Sequence, residues 1–231
     1  MTVDPEIVGN KEVGGAYALK VFQASLNILS HLLIGIVVGV SLLFSFRNGL
    51  PLNVIMLHIV LCVIGYQLLM AESILSLSAD NGWSGVLRFK DKRMAHTILQ
   101  VGGSALALVG SFLVMVDKTV NFNTLHGQFG LVAVVFTAVS LVNGLTSLYA
   151  FEWRRFCPGN ISKITHICFG IVAFASSSIS LCYGFDKFSF RLWASDAFTN
   201  ATIACTACFT TIIIINPTIN FFKKSYRLIV K

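Results

Sequence analysis

Six long stretches without a charged residue constrain this 231-residue chain more than any other feature. They cover residues 21–46, 48–71, 94–116, 119–151, 164–185 and 197–222. Each exceeds the roughly 20 residues that an α-helix needs to cross the hydrocarbon core of a bilayer. Soluble domains carry about 25% charged residues, whereas this chain carries 12%. The sequence therefore predicts an all-α integral membrane protein with six transmembrane helices.

The charge-free stretches also give the expected helix bounds and domain organisation. We expect helices at about residues 21–46, 50–74, 94–116, 123–148, 164–185 and 197–219. Six crossings leave only short connecting loops, so residues 1–231 are predicted to form a single transmembrane domain. At its centre we expect a four-helix bundle made of the second to fifth helices.

Positively charged residues are distributed unevenly between the two ends of the predicted helices. One side carries thirteen of them: Lys11, Lys20, Arg88, Lys90, Lys92, Arg93, Arg154, Arg155, Lys163, Lys223, Lys224, Arg227 and Lys231. The other side carries Arg47, Lys118, Lys187 and Arg191. Because cytoplasmic loops are enriched in Lys and Arg, both termini are predicted to be cytoplasmic. This asymmetry accounts for the net charge of +7 without a nucleic-acid partner.

Four histidines each lie near the start of their own apolar stretch. They are His58, His96, His126 and His166, in the second to fifth stretches. Ionisable side chains inside a membrane helix are costly and usually functional. Because consecutive helices run in opposite directions, His58 and His126 are expected to share the non-cytoplasmic side. His96 and His166 are then expected together, just beneath the cytoplasmic surface.

A pair of facing histidines is suited to several metals, because neutral imidazole binds zinc, copper and iron. A bare ion held by two histidines needs further donors, and no carboxylate or thiol recurs beside both pairs. Haem brings four nitrogens of its own and leaves two axial positions, which favour electron transfer over oxygen chemistry when both are filled. The residues favour two haems. A six-helix transporter or scaffold that uses its histidines for protons or a metal ion is the alternative from a different class.

Glycines follow these histidines along the same helix faces, at spacings of four, seven or fourteen residues. They are Gly65, Gly103, Gly110, Gly130 and Gly170. A flat macrocycle wedged between helices needs such gaps, but small residues also let membrane helices pack closely. The sequence leaves both interpretations open.

Two further ionisable residues fall inside or at the end of the predicted helices. His31 lies in the first helix without a partner at its depth, and we expect a packed, hydrogen-bonded histidine. Glu72 follows His58 by fourteen residues, which is about 21 Å along an α-helix. It therefore reaches the level of His96 and His166. Either it hydrogen-bonds a haem ligand or a basic residue there, or it ends the helix in solvent.

Three local patterns accompany the histidines. They are Leu125-His126-Gly127 at the start of the fourth helix, Lys92-Arg93 before His96, and Met70-Ala71-Glu72 at the end of the second. With the order of the four histidines, they resemble the cytochrome b561 family of transmembrane haem electron carriers. The short length and six helices are most similar to its cytochrome b561 domain-containing protein 2 subgroup. The resemblance covers most of the chain.

The resemblance implies a homodimeric membrane reductase with two b haems as cofactors. It implies that His58 and His126 are axial ligands of a non-cytoplasmic haem, and His96 and His166 of a cytoplasmic one. The electron donor would be cytosolic ascorbate, and the acceptor a ferric chelate or monodehydroascorbate. The anionic donor would be met by Lys90, Lys92, Arg93, Arg154 and Arg155. The expected location is an endomembrane, such as the endoplasmic reticulum or a vesicle, or the plasma membrane.

The chain departs from the better-known ascorbate-reducing members of that family at its non-cytoplasmic end. Those members follow the histidine of the fourth helix with Ser-Trp, whereas this chain has Gly127-Gln128. They also carry a histidine in the preceding loop, which residues 117–124 lack. Phe122 and Asn123 are candidates for lining that surface instead. A haem-bearing membrane anchor that passes electrons to a partner enzyme is the runner-up function.

Overall fold

The computed structural model describes residues 5–148 and 159–230, with side chains from residue 15 and again from residue 161. The described residues form seven helices. They are α1 Pro5–Phe46, α2 Val54–Ser76, α3 Phe89–Asp117, α4 Leu125–Leu148, α5 Gly159–Phe185, α6 Phe188–Ala194 and α7 Asp196–Ile229. All except α6 are long and apolar enough to cross a membrane. The protein is thus a multi-pass, all-α membrane protein.

The helices extend beyond the stretches that carry no charge. α3 begins at Phe89 instead of at about residue 94, and α7 continues to Ile229 instead of ending at about residue 219. Likewise, α1 begins at Pro5. Charged residues leave the hydrocarbon region but do not stop a helix, because long Lys and Arg side chains reach the interface. The charge-free stretches therefore mark the apolar part of each helix and not its ends.

Two antiparallel hairpins make up the core of the bundle. α2 lies along α3 over most of its length, and α4 lies along α5 in the same way. The backbones of the first hairpin approach closely, because a Cβ added at Gly65 would lie 2.7 Å from the carbonyl oxygen of Gly103. α1 packs against α2 and α7, and α7 also packs against α5. Each hairpin therefore brings the start of one helix beside the end of its neighbour.

The helix α2 changes its hydrogen-bonding pattern midway. Residues Val54–Cys62 and Ala71–Ser76 are α-helical, whereas Val63–Met70 form a π-helix. A π-helix winds more residues into each turn, and such segments are frequent at functional sites. The π-helical segment alters which residues of α2 face α3 beyond it.

The short helix α6 covers the end of the bundle at which His58 lies. Its Phe190 is buried and packs against Phe44 and Phe185, with ring centres 5.0 and 4.7 Å apart. Arg191 bonds Asp186 and Asp196 on either side of α6. These bonds raise the pKa of Arg191. The connection between α5 and α7 is therefore tied down beside the site.

Candidate functional site

The four histidines form two pairs, one at each end of the bundle. The imidazole rings of His58 and His126 have centres 6.2 Å apart and lie at 89° to each other. The rings of His96 and His166 are also 6.2 Å apart, at 90°. Each pair takes one histidine from the first hairpin and one from the second. We call them the 58/126 pair and the 96/166 pair.

The separation within each pair fits two axial ligands on one metal. Metal–imidazole bonds are about 2.0 to 2.1 Å long, so two such bonds in line, with each ring centre about 1.1 Å behind its nitrogen, give about 6.3 Å. The observed distance is 6.2 Å in both pairs. Among residues 5–148 and 159–230, no three His, Cys, Asp or Glu side chains are grouped to hold a metal ion. Two ligands per centre suit a haem, which completes its own equatorial plane.

Every one of these rings is fixed by a backbone carbonyl on the neighbouring helix of its own hairpin. The distances from Nδ1 to that oxygen are 2.9 Å for His58 to Gly110, 2.9 Å for His96 to Ser73, 2.8 Å for His126 to Ser180 and 2.9 Å for His166 to Ser140. A carbonyl only accepts, so Nδ1 carries the proton. This leaves Nε2 of each ring as the nitrogen that can bind a metal.

Three of the four rings also contact a serine hydroxyl. Oγ of Ser73, Ser180 and Ser140 lies 2.9, 3.2 and 3.2 Å from Nδ1 of its histidine. The same hydroxyls donate to the backbone carbonyl of that histidine, at 3.0, 2.8 and 3.5 Å. Partners that orient a metal ligand in this way also tune its basicity. These serines were not among the residues singled out from the sequence.

In three of the four helices, the residue fourteen positions after the histidine has a backbone carbonyl that binds a histidine of the other pair. Ser140 follows His126 by fourteen residues, Ser180 follows His166 by fourteen, and Gly110 follows His96 by fourteen. Fourteen residues span about 21 Å along a helix. In each of these helices, one face therefore serves both ends of the bundle.

Ser73 follows His58 by fifteen residues, one more than in the other three helices. The π-helix Val63–Met70 lies between them and absorbs the extra residue. Ser73 thereby faces His96, and its predecessor Glu72 does not. Because of this extra residue, Ser73 and not Glu72 binds His96, and the expectation that Glu72 hydrogen-bonds a haem ligand is wrong. A count of fourteen α-helical residues overlooks the π-helix.

Glu72 instead faces α1, where it pairs with His31. Its Oε1 lies 2.7 Å from Nδ1 of His31, and its Oε2 accepts a hydrogen bond from Nε1 of Trp83 at 2.9 Å. The side chains of His31 and Glu72 are 30% and 19% exposed. His31 is thus a hydrogen-bonded histidine, as expected, and it has the partner that the sequence did not identify.

The other ring nitrogen of His31 bonds the buried Asn81, which a second buried asparagine, Asn27, holds in turn. The backbone N–H of Gly82 donates to Oδ1 of Asn27, so the Nδ2 of Asn27 donates to Oδ1 of Asn81. That oxygen is therefore an acceptor, and Nε2 of His31 donates to it at 2.9 Å. A single proton then lies between Nδ1 of His31 and Oε1 of Glu72. This network joins α1 to the loop after α2.

The glycines near the histidines make room for helices and for serines. A Cβ at Gly130 would lie 3.4 Å from Oγ of Ser180, and a Cβ at Gly170 would lie 3.5 Å from Oγ of Ser140, which are ordinary van der Waals contacts. Gly127 is close to the backbone of Phe122, which has a positive φ of 60°. At Gly65, Gly103 and Gly110, by contrast, a Cβ would lie 2.7 to 2.8 Å from an atom of the facing helix, so close packing, one of the two interpretations from the sequence, accounts for these three glycines.

A cavity of about 300 Å³ opens beside the 58/126 pair. Both histidines line it, and its rim includes Lys118, Phe122, Asn123 and Lys187. Phe122 and Asn123, the candidates from the sequence, thus line the cavity beside the 58/126 pair. Desolvation and the charge of Lys118 lower the pKa of Lys187. Two positive charges therefore converge at the mouth of this cavity.

Three of the five predicted substrate residues lie in the part of the chain that the structure describes. Lys90 and Arg93 are exposed at the start of α3. Lys92 is 8% exposed, and its Nζ donates to the carbonyl oxygen of Ser78 at 3.0 Å. It is thus held inside the protein, one helical turn before His96. Arg154 and Arg155 lie outside the described residues.

Fold and site together define a helical membrane protein with two bis-histidine centres at opposite ends of its bundle. The chain matches the family of eukaryotic cytochrome b561 over residues 57–191. It belongs to that family, whose members bind haem and transfer electrons across membranes. The protein is accordingly a transmembrane oxidoreductase.

Three relatives are named transmembrane reductase CYB561D2. The mouse protein is 28% identical over 178 residues, the human protein 27% over 175 residues, and the bovine protein 25% over 175 residues. Each alignment covers 74% of this chain and 78% of the relative. The similarity therefore extends over most of both proteins.

Proposed function

We propose that the protein holds two b haems and passes electrons from cytosolic ascorbate to a ferric chelate or monodehydroascorbate on the other side. The observation that carries this proposal is the pair of matched centres. In each, two perpendicular imidazoles lie 6.2 Å apart with Nδ1 already hydrogen-bonded. When bound there, a haem with both axial positions filled supplies one-electron transfer without oxygen chemistry.

The protein residues hold and orient the ligands in this scheme. Hydrogen bonds to carbonyl oxygens keep the proton on Nδ1 and fix the plane of each ring, so Nε2 is available to the iron. Fourteen residues along each helix separate the 58/126 pair from the 96/166 pair by about 21 Å. A single protein can thus carry an electron across most of the apolar layer.

We assign the 96/166 pair to the cytoplasmic side because of the surrounding positive charge. The start of α3, with the residue before it, contributes Arg88, Lys90 and Arg93, and the C-terminal part of α7 contributes Lys224 and Arg227. The end with the 58/126 pair has four Lys and Arg residues in total. The excess of positive charge on one side sets the orientation of a membrane protein.

Ascorbate is a monoanion at neutral pH, and the exposed Lys90 and Arg93 would raise its concentration near the 96/166 pair. Lys92 lies four residues before His96, on the same face of α3. Its ammonium makes one hydrogen bond, to Ser78. It can therefore donate to a carboxylate or enediolate oxygen at the haem edge.

On the opposite side, Lys118 and Lys187 would serve an anionic acceptor. Both are exposed and line the cavity that His58 and His126 also line, together with Asn123. Ferric chelates of carboxylic acids and monodehydroascorbate are anions, and positive charge at the rim would attract them. Haem propionates are anions too and would compete for the same lysines.

Purified protein provides the test. We expect two haems per chain, reduced b-type absorption bands on adding ascorbate, and reoxidation on adding a ferric chelate or monodehydroascorbate. A protein that binds no haem would contradict the proposal as a whole. Reduction by dithionite but not by ascorbate would exclude the donor alone. Cross-linking in lipid nanodiscs would test the expected homodimer.

A further inference from the structure

The surroundings of His58 differ from those of the other three histidines. Ser73, Ser180 and Ser140 each place a hydroxyl beside Nδ1 of a histidine. The corresponding residue for His58 is Gly110, which offers only its carbonyl. One of the four ligands therefore lacks the serine hydroxyl that the others share.

A thiol occupies that place. Sγ of Cys62 lies 3.5 Å from Nδ1 of His58, and it comes from the helix of His58 itself, one turn further on. A Cβ at Gly110 would lie 2.8 Å from Cβ of Leu61 and 3.1 Å from Sγ of Cys62. Gly110 is therefore required by the close approach of α2, and Cys62 fills the space that a serine side chain would take.

We propose that Cys62 is a positioning residue that raises the reduction potential of the haem at the 58/126 pair, relative to a centre with a serine hydroxyl. This proposal rests on the proposed haem at that pair. Cys62 would act through the proton on Nδ1 of His58, the residue that would hold this haem by its Nε2.

The reasoning concerns the strength of the acceptor that faces Nδ1–H. A good acceptor draws the proton away from the imidazole, makes the ring a stronger donor to iron and stabilises the ferric state. Sulfur is a weak acceptor compared with a hydroxyl oxygen. With Cys62 in place of a hydroxyl, His58 gives less electron density to the metal. The 58/126 centre is then easier to reduce, which favours electron flow towards it from the 96/166 centre.

Serine at position 62 would place a hydroxyl beside Nδ1 as at the other three sites, although from the helix of His58 itself. A serine in a helix commonly donates to the carbonyl four residues earlier, and for residue 62 that carbonyl belongs to His58. The hydroxyl would then donate to the histidine carbonyl while its oxygen faces Nδ1, as Ser180 does for His126. Cys62→Ser therefore exchanges the acceptor and keeps the packing.

The experiment compares Cys62→Ser and Cys62→Ala with the wild-type protein by spectroscopically monitored reduction of the purified holoprotein. We expect the potential of the 58/126 haem to be lowest with Ser, intermediate with Cys and highest with Ala. The 96/166 haem should keep its potential in all three. Cys208→Ser, which changes an exposed cysteine of α7, is the matched control and should shift neither haem.

Shifts in the same direction for Ser and Ala would indicate a packing role and overturn the proposal, as would unchanged potentials. If a Cys62 variant loses its haem, Ser180→Ala provides the second measurement. It removes a hydroxyl from the other ligand of the same centre, so the same reasoning expects a higher potential. No shift there would overturn the proposal. Absence of haem from the wild-type protein would instead contradict the proposed function.

Discussion

His31 Nδ1 lies 2.7 Å from Oε1 of Glu72, and this bond ties α1 to the end of α2. Both residues stand apart from the bis-histidine pairs, although Glu72 is next to Ser73, which holds His96. The second ring nitrogen of His31 and the second oxygen of Glu72 are occupied by Asn81 and Trp83. The pair therefore fixes the loop that leads into α3 and to the basic residues there.

Glu72→Gln should destabilise the protein without removing either haem. The substitution replaces a charge-assisted bond by a neutral one and costs about 1 to 2 kcal/mol, because both side chains are partly exposed. We expect a lower midpoint of thermal unfolding and an unchanged ratio of haem to protein. Asp80→Asn in the same loop is the control and should leave the midpoint as it is. Loss of the 96/166 haem from Glu72→Gln would show that Glu72 supports the ligand after all.

His96→Ala and His58→Ala should each remove one haem. Because His96 shares its centre with His166 and His58 with His126, we expect His96→Ala to resemble His166→Ala in its absorption spectrum. His58→Ala should resemble His126→Ala. His31→Gln is the control and should keep both haems. Matching spectra for His96→Ala and His58→Ala would contradict this pairing.

The π-helix of α2 makes an unusual deletion tolerable. Removing Leu68 from Val63–Met70 brings Ser73 to fourteen positions after His58, the spacing of the other helices, and an α-helix can then join them. We expect both haems to be retained. Deletion of Val135, between His126 and Ser140 in α4, should displace Ser140 by about 1.5 Å and 100° around the helix axis and weaken the 96/166 centre. Haem content of the two purified variants is the measurement.

Equal loss of haem from both deletion variants would contradict this role of the π-helix. A loss from the Leu68 variant alone would mean that the π-helical turn itself is needed at the centre.

The six spans were predictable because a bilayer excludes charge, and the histidine pairs followed from helix direction alone. The serines were visible as polar residues in apolar helices, and their spacing of fourteen residues was readable once the pairs were known. The partners of Glu72 were not predictable. A π-helix leaves no periodic signal in an apolar sequence, and one extra residue turns a side chain to another face.

Neutralising Lys90 and Arg93 should slow reduction by ascorbate about tenfold at low salt, because exposed positive charge raises the rate of encounter with an anion. The difference from wild type should shrink as ionic strength rises and screening shortens the reach of the charges. Stopped-flow reduction at several salt concentrations measures this. Lys20→Gln with Lys223→Gln, which removes two exposed positive charges elsewhere on the predicted cytoplasmic side, is the control of equal charge loss. Unchanged kinetics would place the donor elsewhere.

Lys118→Gln with Lys187→Gln should slow reoxidation by an anionic ferric chelate, and a neutral acceptor should be unaffected. Haem content shows which anion these lysines bind. Loss of the 58/126 haem would indicate that they bind its propionates, and intact haem with slow reoxidation would indicate that they bind the acceptor.

The lowered pKa of Lys187 gives a pH dependence as well. A lysine whose pKa is lowered loses its charge at a lower pH than an ordinary lysine does. The rate with the anionic chelate should therefore fall as pH rises through that pKa, and Lys187→Gln should remove this part of the fall. A pH profile identical in wild type and Lys187→Gln would exclude a contribution from the charge of Lys187.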